Sequence, residues 1–427
     1  MTVLRRCVIL PAMKYYRREN YLRKIRGFYE DTGLIKVITG VRRCGKSCLM
    51  ETIANEIQVR GIDDAHIVYL DLDRRPYKNI KTPDQLEQLI DEKTPSAGVT
   101  YLFIDEIQNV KGFEEVINAF RVEGRHSIFI TGSNSYLLSG ELVTKLTGRY
   151  LEFEMFPLTF DEFLGMKDFL GKDIAANLVD EFDQYLRGGG FPKALQYNTA
   201  DDRRTYIEGV VAEIFEKDIR RRVKIRNVSV FSKVQTYLIN NFGAKTSLEN
   251  IRNELEKMGT HIKRETLNRY IGILKDAKIL YECKRFDLKS RKSIGGEQKY
   301  YLSDLGFHFA TNTDNRINYG PALENTIFTY ARAHGYATSV GRIGALECDF
   351  ILRRGDAEYA YVQACMTMMA SRETEDREYA PLERIHDNYP KYILTRNDPI
   401  QKRNGIIHAN LPEFMRDGMS AGLWSRR

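Results

Sequence analysis

LIKVITGVRRCGKSCLM, residues 34–50, is an apolar run, a loop bounded by two glycines and a second apolar run. Its centre, Gly40-Val41-Arg42-Arg43-Cys44-Gly45-Lys46-Ser47, fits G-x-x-x-x-G-K-[ST] without a mismatch. The spacing has a chemical reason. Gly40 and Gly45 let the backbone curl so that successive N–H groups point inward and form an anion nest. The helix that follows adds the positive end of its dipole. The phosphates of ATP are therefore expected on Gly40, Val41, Arg42, Arg43, Cys44, Gly45, Lys46, Ser47 and Cys48. Lys46 is to reach the β- and γ-phosphates, and the Ser47 hydroxyl is to ligate Mg²⁺. The same pattern also occurs as a plain glycine turn, so its context matters. Residues 34–38 supply the strand that should precede it.

Working outward, apolar strands alternate with helical spacing as far as residue 158. His66-Ile67-Val68-Tyr69-Leu70-Asp71, Tyr101-Leu102-Phe103-Ile104 and Ser127-Ile128-Phe129-Ile130-Thr131 read as strands; residues 84–90 and 113–120 read as helices. Such alternation predicts an α/β fold with a parallel sheet covered on both faces. The ligand then sits at the carboxyl ends of the strands. The third strand ends in Asp105-Glu106. A buried strand delivers Asp105 to the sheet edge, where it is expected to hold Mg²⁺ with Ser47, and Glu106 is expected to polarise an attacking water. The fourth strand runs into Gly132-Ser133-Asn134, and Ser133 or Asn134 is the candidate for positioning that water. Arg149 is the candidate cation for the γ-phosphate of its own or a neighbouring subunit. For all three, an ordinary turn or ion pair is the competing reading.

The chain has 427 residues, too many for one core, with 43% apolar and 29% charged residues. No apolar run approaches a membrane span. The short apolar segment after Arg5-Arg6 is too brief for an export signal, and translation from Met13 is an alternative start. Six scattered cysteines form no C-x-x-C pair and indicate neither a disulfide framework nor a zinc site. A reducing cytoplasm is expected. Net charge is +7, concentrated in basic clusters at 14–26, 217–226 and 284–299. Each cluster is either a surface for an anionic partner or a solvated helix face.

The segments GVRRCGKS, YLFIDEIQ, FITGSNSYLL, LTGRYLEFEMFPLTFDEF and YLRGGGFPKAL together resemble a family of prokaryotic AAA-type ATPases. In that family a P-loop core is followed by a winged helix and a degenerate nuclease-like C-terminal domain. The resemblance implies a P-loop NTPase parallel sheet with a helical lid, then a winged helix-turn-helix and a small α/β nuclease-like domain. It also implies self-association, and a turn at Gly189-Gly190-Phe191-Pro192 that senses the nucleotide state. The expected divisions are a basic segment 1–30, the ATPase core 31–158, the lid 159–227 with its glycines as a hinge, the winged helix 228–312 and the nuclease-like domain 313–427.

Within the winged helix, Leu267, Tyr270, Ile271 and Leu274 form the buried stripe of a third helix, and Lys263 and Arg264 lie away from it. A turn is expected around Gly295-Gly296. Such a unit serves either DNA, with that helix in a groove, or a protein partner. In the last domain, Glu324 and Asp349 match the acids of PD-(D/E)-x-K nucleases, whereas Gln363-Ala364-Cys365 stands where acid-x-Lys belongs. The group that would position a nucleophile is missing, so binding or assembly is the better expectation. Three functions follow: an ATPase that drives motion on a partner such as DNA, a slow nucleotide-gated regulator or scaffold, and an ATP-dependent nuclease.

Overall fold

The computed structural model describes residues 15–132, 146–220, 223–312, 316–355 and 358–417. The chain divides into two compact units, 1–155 and 156–427. The first is built on five parallel strands: β1 (Ile35–Gly40), β2 (Ile67–Asp71), β3 (Thr100–Asp105), β4 (His126–Thr131) and β5 (Tyr150–Met155). Their order is β2-β3-β4-β1-β5. Around them are α1 (Glu19–Ile25), α2 (Lys46–Val59), α3 (Pro83–Lys93) and α4 (Phe113–Val122).

Strand alternation sorts the side chains. On one face Val37, Leu70, Ile104 and Ile130 pack with Leu86 and Ile90 of α3 and with Phe113, Ile117 and Phe120 of α4. The other face carries a row in which Tyr69 stacks on Phe103 and Phe103 on Phe129, with ring centroids 5.9 and 4.7 Å apart. Lys36 continues that row and is fully buried. Its ammonium donates to the Asp31 carbonyl at 2.6 Å and to Ser127 Oγ at 2.9 Å, and burial pushes its pKa down to about 7. Thr82 starts α3 with a capping box to Gln85, as the polar-then-apolar sequence there requires.

The second unit opens with three helices, α5 (Phe160–Phe169), α6 (Leu178–Gly188) and α7 (Ala200–Glu213), the last running into a π-helical segment, Ile214–Arg220. Phe160, Phe163, Phe182 and Tyr185 form the aromatic joint of α5 and α6. Nearby, the Lys167 ammonium is buried on both carboxylate oxygens of Glu181, at 2.6 and 2.8 Å. The glycines after α6 are not the free hinge expected. A Cβ on Gly190 would lie 2.1 Å from the Leu158 carbonyl oxygen, and one on Gly189 1.9 Å from Asp304 Oδ1. Close backbone approach, not looseness, requires glycine there.

Next come α8 (Val228–Asn240), α9 (Leu248–Lys257) and α10 (Arg264–Asp276), with β6 (Lys245–Thr246) between the first two. Leu267, Tyr270, Ile271 and Leu274 are all buried, as the helical spacing requires. The hairpin that follows is longer than its sequence suggests: β7 (Leu280–Asp287) pairs with β8 (Lys292–Leu302). The turn therefore lies at 288–291, where Asp287 Oδ1 accepts the Ser290 N–H at 2.7 Å. Gly295 and Gly296 fall inside β8, where the register slips opposite Cys283 and Arg285, so they serve a bulge and not a turn.

The hairpin does not end in a free edge. β7 pairs in parallel with β9 (Ala337–Ile343), which continues through β10 (Leu346–Arg354), β11 (Glu358–Cys365) and β12 (Lys391–Thr395) to β14 (Ile406–Asn410) and β13 (Lys402–Arg403). One nine-stranded sheet thus runs from β6 to β13. α11 (Gly306–Thr311) packs on α6, α7 and α8, and the sheet is flanked by α12 (Tyr319–Ala333), α13 (Arg372–Glu383) and α14 (Leu411–Asp417).

Candidate nucleotide site

The loop after β1 is shaped by three left-handed residues: Gly40 at φ 145°, Arg43 at φ 68° and Gly45 at φ 109°. Gly40 has a steric reason as well. A Cβ there would meet the Met155 carbonyl oxygen at 2.2 Å and Cys44 Sγ at 3.0 Å. Val41, Arg42, Cys44 and Lys46 are buried, and Ser47 and Cys48 lie exposed on the first turn of α2. The Lys46 ammonium is folded back onto the Gly40 and Val41 carbonyls, at 3.0 and 3.2 Å.

β3 delivers its carboxylate where the pattern requires. Asp105 is 2% exposed and is hydrogen-bonded by the Ser47 and Thr131 hydroxyls. Burial, then the charge of Glu106, pushes its pKa up to about 6; the two hydroxyls pull the other way. Glu106 is a left-handed residue at φ 54°. That conformation is uncommon for a residue with a side chain and costs about 1–3 kcal/mol. It is held by the Glu106 N–H, which donates to Thr131 Oγ1 at 3.1 Å, while the Gln108 amide donates to the carboxylate.

Thr131 is thus the residue that sequence reasoning missed. The strands β3 and β4 pair as Ile104↔Ile130, so Thr131 lies one step on, beside Asp105. A polar residue at the end of the neighbouring strand was the available signal. Ser133 and Asn134, the expected water-positioning residues, lie outside the described residues. A second omission is Arg18, 5% exposed, whose guanidinium donates to the Cys44 carbonyl at 3.0 Å. Arg26 likewise grips Glu56 of α2 at 2.7 and 3.0 Å. Part of the basic 14–26 cluster is therefore spent within its own unit.

Arg149 is not brought to its own phosphate loop. It precedes β5, its carbonyl accepts the N–H of Ile35 at the start of β1, and its side chain bonds Asn118. The loop lies at the other end of β1, about 16 Å away by the rise of six strand residues. Action on its own γ-phosphate is excluded by that geometry.

The donor set at Ser47 and Asp105 fits Mg²⁺: a carboxylate and a hydroxyl, already in contact, offer hard oxygens beside the phosphate loop. Among the described residues no helix is long and apolar enough to cross a membrane.

Known proteins resemble this chain over most of its length. A family model described as an AAA domain matches residues 32–164, and one for a domain of unknown function matches residues 179–315. An uncharacterized protein of Haemophilus influenzae is 35% identical over 382 residues, covering 88% of this chain and 92% of that protein. The uncharacterized protein MJ1544 of Methanocaldococcus jannaschii is 30% identical over 376 residues, covering 85% and 82%. Among solved structures, the Walker-type ATPase paby2304 of Pyrococcus abyssi overlaps 70% of this chain and 96% of that one, with TM-score 0.48 and 16% identity.

Fold, loop and family model together define a P-loop ATPase of the AAA type. The chain belongs to a prokaryotic AAA-type ATPase family, and the uncharacterized Haemophilus influenzae and Methanocaldococcus jannaschii proteins are its relatives by sequence.

Proposed function

We propose that this protein hydrolyses Mg-ATP and uses the cycle to move or gate a partner, with DNA as the leading candidate. The observation that carries the reading is Asp105, held between Ser47 and Thr131 beside the phosphate loop, with Glu106 next to it. Lys46 exchanges its two loop carbonyls for the β- and γ-phosphates. Ser47 and Asp105 hold Mg²⁺, which neutralises charge on the phosphates when bound. Glu106 takes the proton of the attacking water, and Ser133 or Asn134 orients that water. Arg149 acts, on this reading, on the nucleotide of a neighbouring subunit in a homo-oligomer.

The movement has a route along the chain. Gly40 of the loop abuts the Met155 carbonyl. Three residues later the Leu158 N–H donates to the Gly190 carbonyl at 2.7 Å. The Gly190 N–H donates in turn to buried Asp304 at 2.6 Å, at the end of the hairpin. The Gly189-Gly190-Phe191-Pro192 turn is thus suited to pass a change at the loop to the α8–α10 unit. In that unit, which we read as a winged helix, Lys263 and Arg264 are exposed at the start of α10, and Lys289, Arg291 and Lys292 at the hairpin turn. Exposed cations on a helix start and a hairpin tip suit phosphate contacts of a duplex.

A second reading, a slow nucleotide-gated regulator or scaffold, is favoured by one contact. Gln108 holds the Glu106 carboxylate, so a partner that draws Gln108 away would release the base. Steady-state ATPase of the wild type with duplex DNA, single strands and buffer alone separates the readings. DNA that raises turnover in a manner steeply weakened by salt supports the first, and Lys263→Glu with Arg264→Glu should abolish the rise. Turnover indifferent to both DNA forms would transfer the partner role to a protein.

A further inference from the structure

The C-terminal acids come together, but not around a vacant position. Lys299 of β8 is 6% exposed, and its ammonium lies 2.8 Å from Glu324, 3.2 Å from Glu347 and 3.5 Å from Asp349. Glu324 comes from α12, and Glu347 and Asp349 from one face of β10. Two residues along β8, the Tyr301 hydroxyl donates to the same Glu324 oxygen at 2.7 Å. β8 and β10 are not neighbours in the sheet. Register breaks lie opposite Cys283/Arg285 and at Cys348/Ile351, the kind of irregularity that bends a strand, and Lys299 reaches across β7 and β9 between them.

The remaining contacts close the centre further. The other Asp349 oxygen accepts the Ala364 N–H at 2.9 Å. Gln363, standing where an acid would ligate, spends its amide on Glu378 at 3.0 Å and its carbonyl on the Asp349 N–H at 3.3 Å. The second cation nearby, Arg285, lies 3.5 Å from Glu347. A magnesium ion needs oxygens at about 2.1 Å in octahedral array. An ammonium instead hydrogen-bonds one acceptor and attracts further carboxylates at about 3–4 Å. The observed spacing, one hydrogen bond to Glu324 and ion pairs to Glu347 and Asp349, is the second kind. Among the described residues no group of three or more His, Cys, Asp or Glu side chains is arranged to hold a metal ion.

We propose that the Lys299 ammonium takes the place of the divalent cation in the Glu324–Glu347–Asp349 centre. The chain's own lysine thereby closes the centre to metal and uses the acids as a tie joining the hairpin to α12 and β10. The nuclease-like half then holds its sheet together and does not cut.

The test is Mn²⁺ binding to the full chain without nucleotide, by electron paramagnetic resonance, in an Asp105→Asn background that removes the phosphate-loop ligand. No specific Mn²⁺ is expected in that protein. Adding Lys299→Met exposes three carboxylates and should create one specific Mn²⁺ site, with a thermal midpoint that rises as Mn²⁺ is added. A folded Lys299→Met protein that binds no Mn²⁺ overturns the proposal. So does a specific Mn²⁺ site in the Asp105→Asn protein that disappears with Asp349→Asn. This second comparison keeps Lys299 intact and decides the matter even if Lys299→Met does not fold.

Discussion

Asp105 sits in a place that favours its neutral form, yet the Mg²⁺ role we propose for it requires it to be ionised. Its folded pKa of about 6 stands above the ordinary aspartate value of 3.8. A raised carboxyl pKa means that the folded state holds the proton more tightly than the unfolded state. The resulting destabilisation is absent below pH ~4, grows as pH rises through the interval and is complete above pH ~6. At neutral pH it amounts to about 3 kcal/mol. Asp105→Asn should therefore raise the nucleotide-free stability at pH 7 by about 1–3 kcal/mol, measured by urea unfolding, while abolishing Mg-dependent turnover. At pH 5 the gain should shrink. The opposite charge requirement shows in the wild type, where Mg-dependent ATP affinity should fall as pH drops below about 6. Thr131 holds both members of the pair, so Thr131→Val, which leaves the Glu106 N–H without its acceptor, should cost about 1–3 kcal/mol as well as activity.

At the scale of elements, the turn after α6 gives a sharper test than any single contact. Gly190 lies against Leu158 backbone, which cannot yield as a flexible side chain would, whereas nothing lies within 4 Å of a Cβ on Gly188. Gly190→Ala should lower stability by about 3 kcal/mol, and Gly188→Ala should leave it within about 0.5 kcal/mol. Differential scanning calorimetry of the pair measures the contrast. The same turn shows where sequence reading runs out. Three consecutive glycines look like looseness, and only the neighbours supplied from outside the turn reveal that two of them, Gly189 and Gly190, are close-packing residues. β1 to β4 were legible because each is a short apolar run ending at a turn or a polar residue, and the phosphate loop because its spacing is dictated by phosphate geometry. The α8–α10 helices were legible from the stripe of Leu267, Tyr270, Ile271 and Leu274. The hairpin was misjudged because glycines that make a bulge inside β8 carry the same local signal as glycines in a turn. Thr131 and Lys299 were missed for one reason: each acts on residues far away in sequence, through strand register or a bend in a sheet.

At the scale of the molecule, the pairing of β7 with β9 makes the hairpin and the C-terminal strands one sheet. Asp183 strengthens it by taking Arg396 on both oxygens, at 3.0 and 2.7 Å, together with the Tyr319 hydroxyl at 2.9 Å. In the other half, Arg149 stands at the end of the sheet opposite the phosphate loop, and the proposed reading gives it the nucleotide of a neighbouring copy. If it works there, Lys46→Ala and Arg149→Ala are each inactive alone but complement each other. Mixed assemblies then place an intact Arg149 beside an intact phosphate loop. Turnover should reappear on mixing, and its failure to do so would remove Arg149 from the reaction.

The central claim is that Glu106 acts on a water while Lys46, Ser47 and Asp105 bind the nucleotide. The most direct test is the Glu106→Gln protein, with Mg-ATP affinity and single-turnover hydrolysis measured in one sample. The account predicts affinity within a few-fold of wild type and hydrolysis slowed by about 100-fold or more. Hydrolysis at the wild-type rate with intact binding would contradict it.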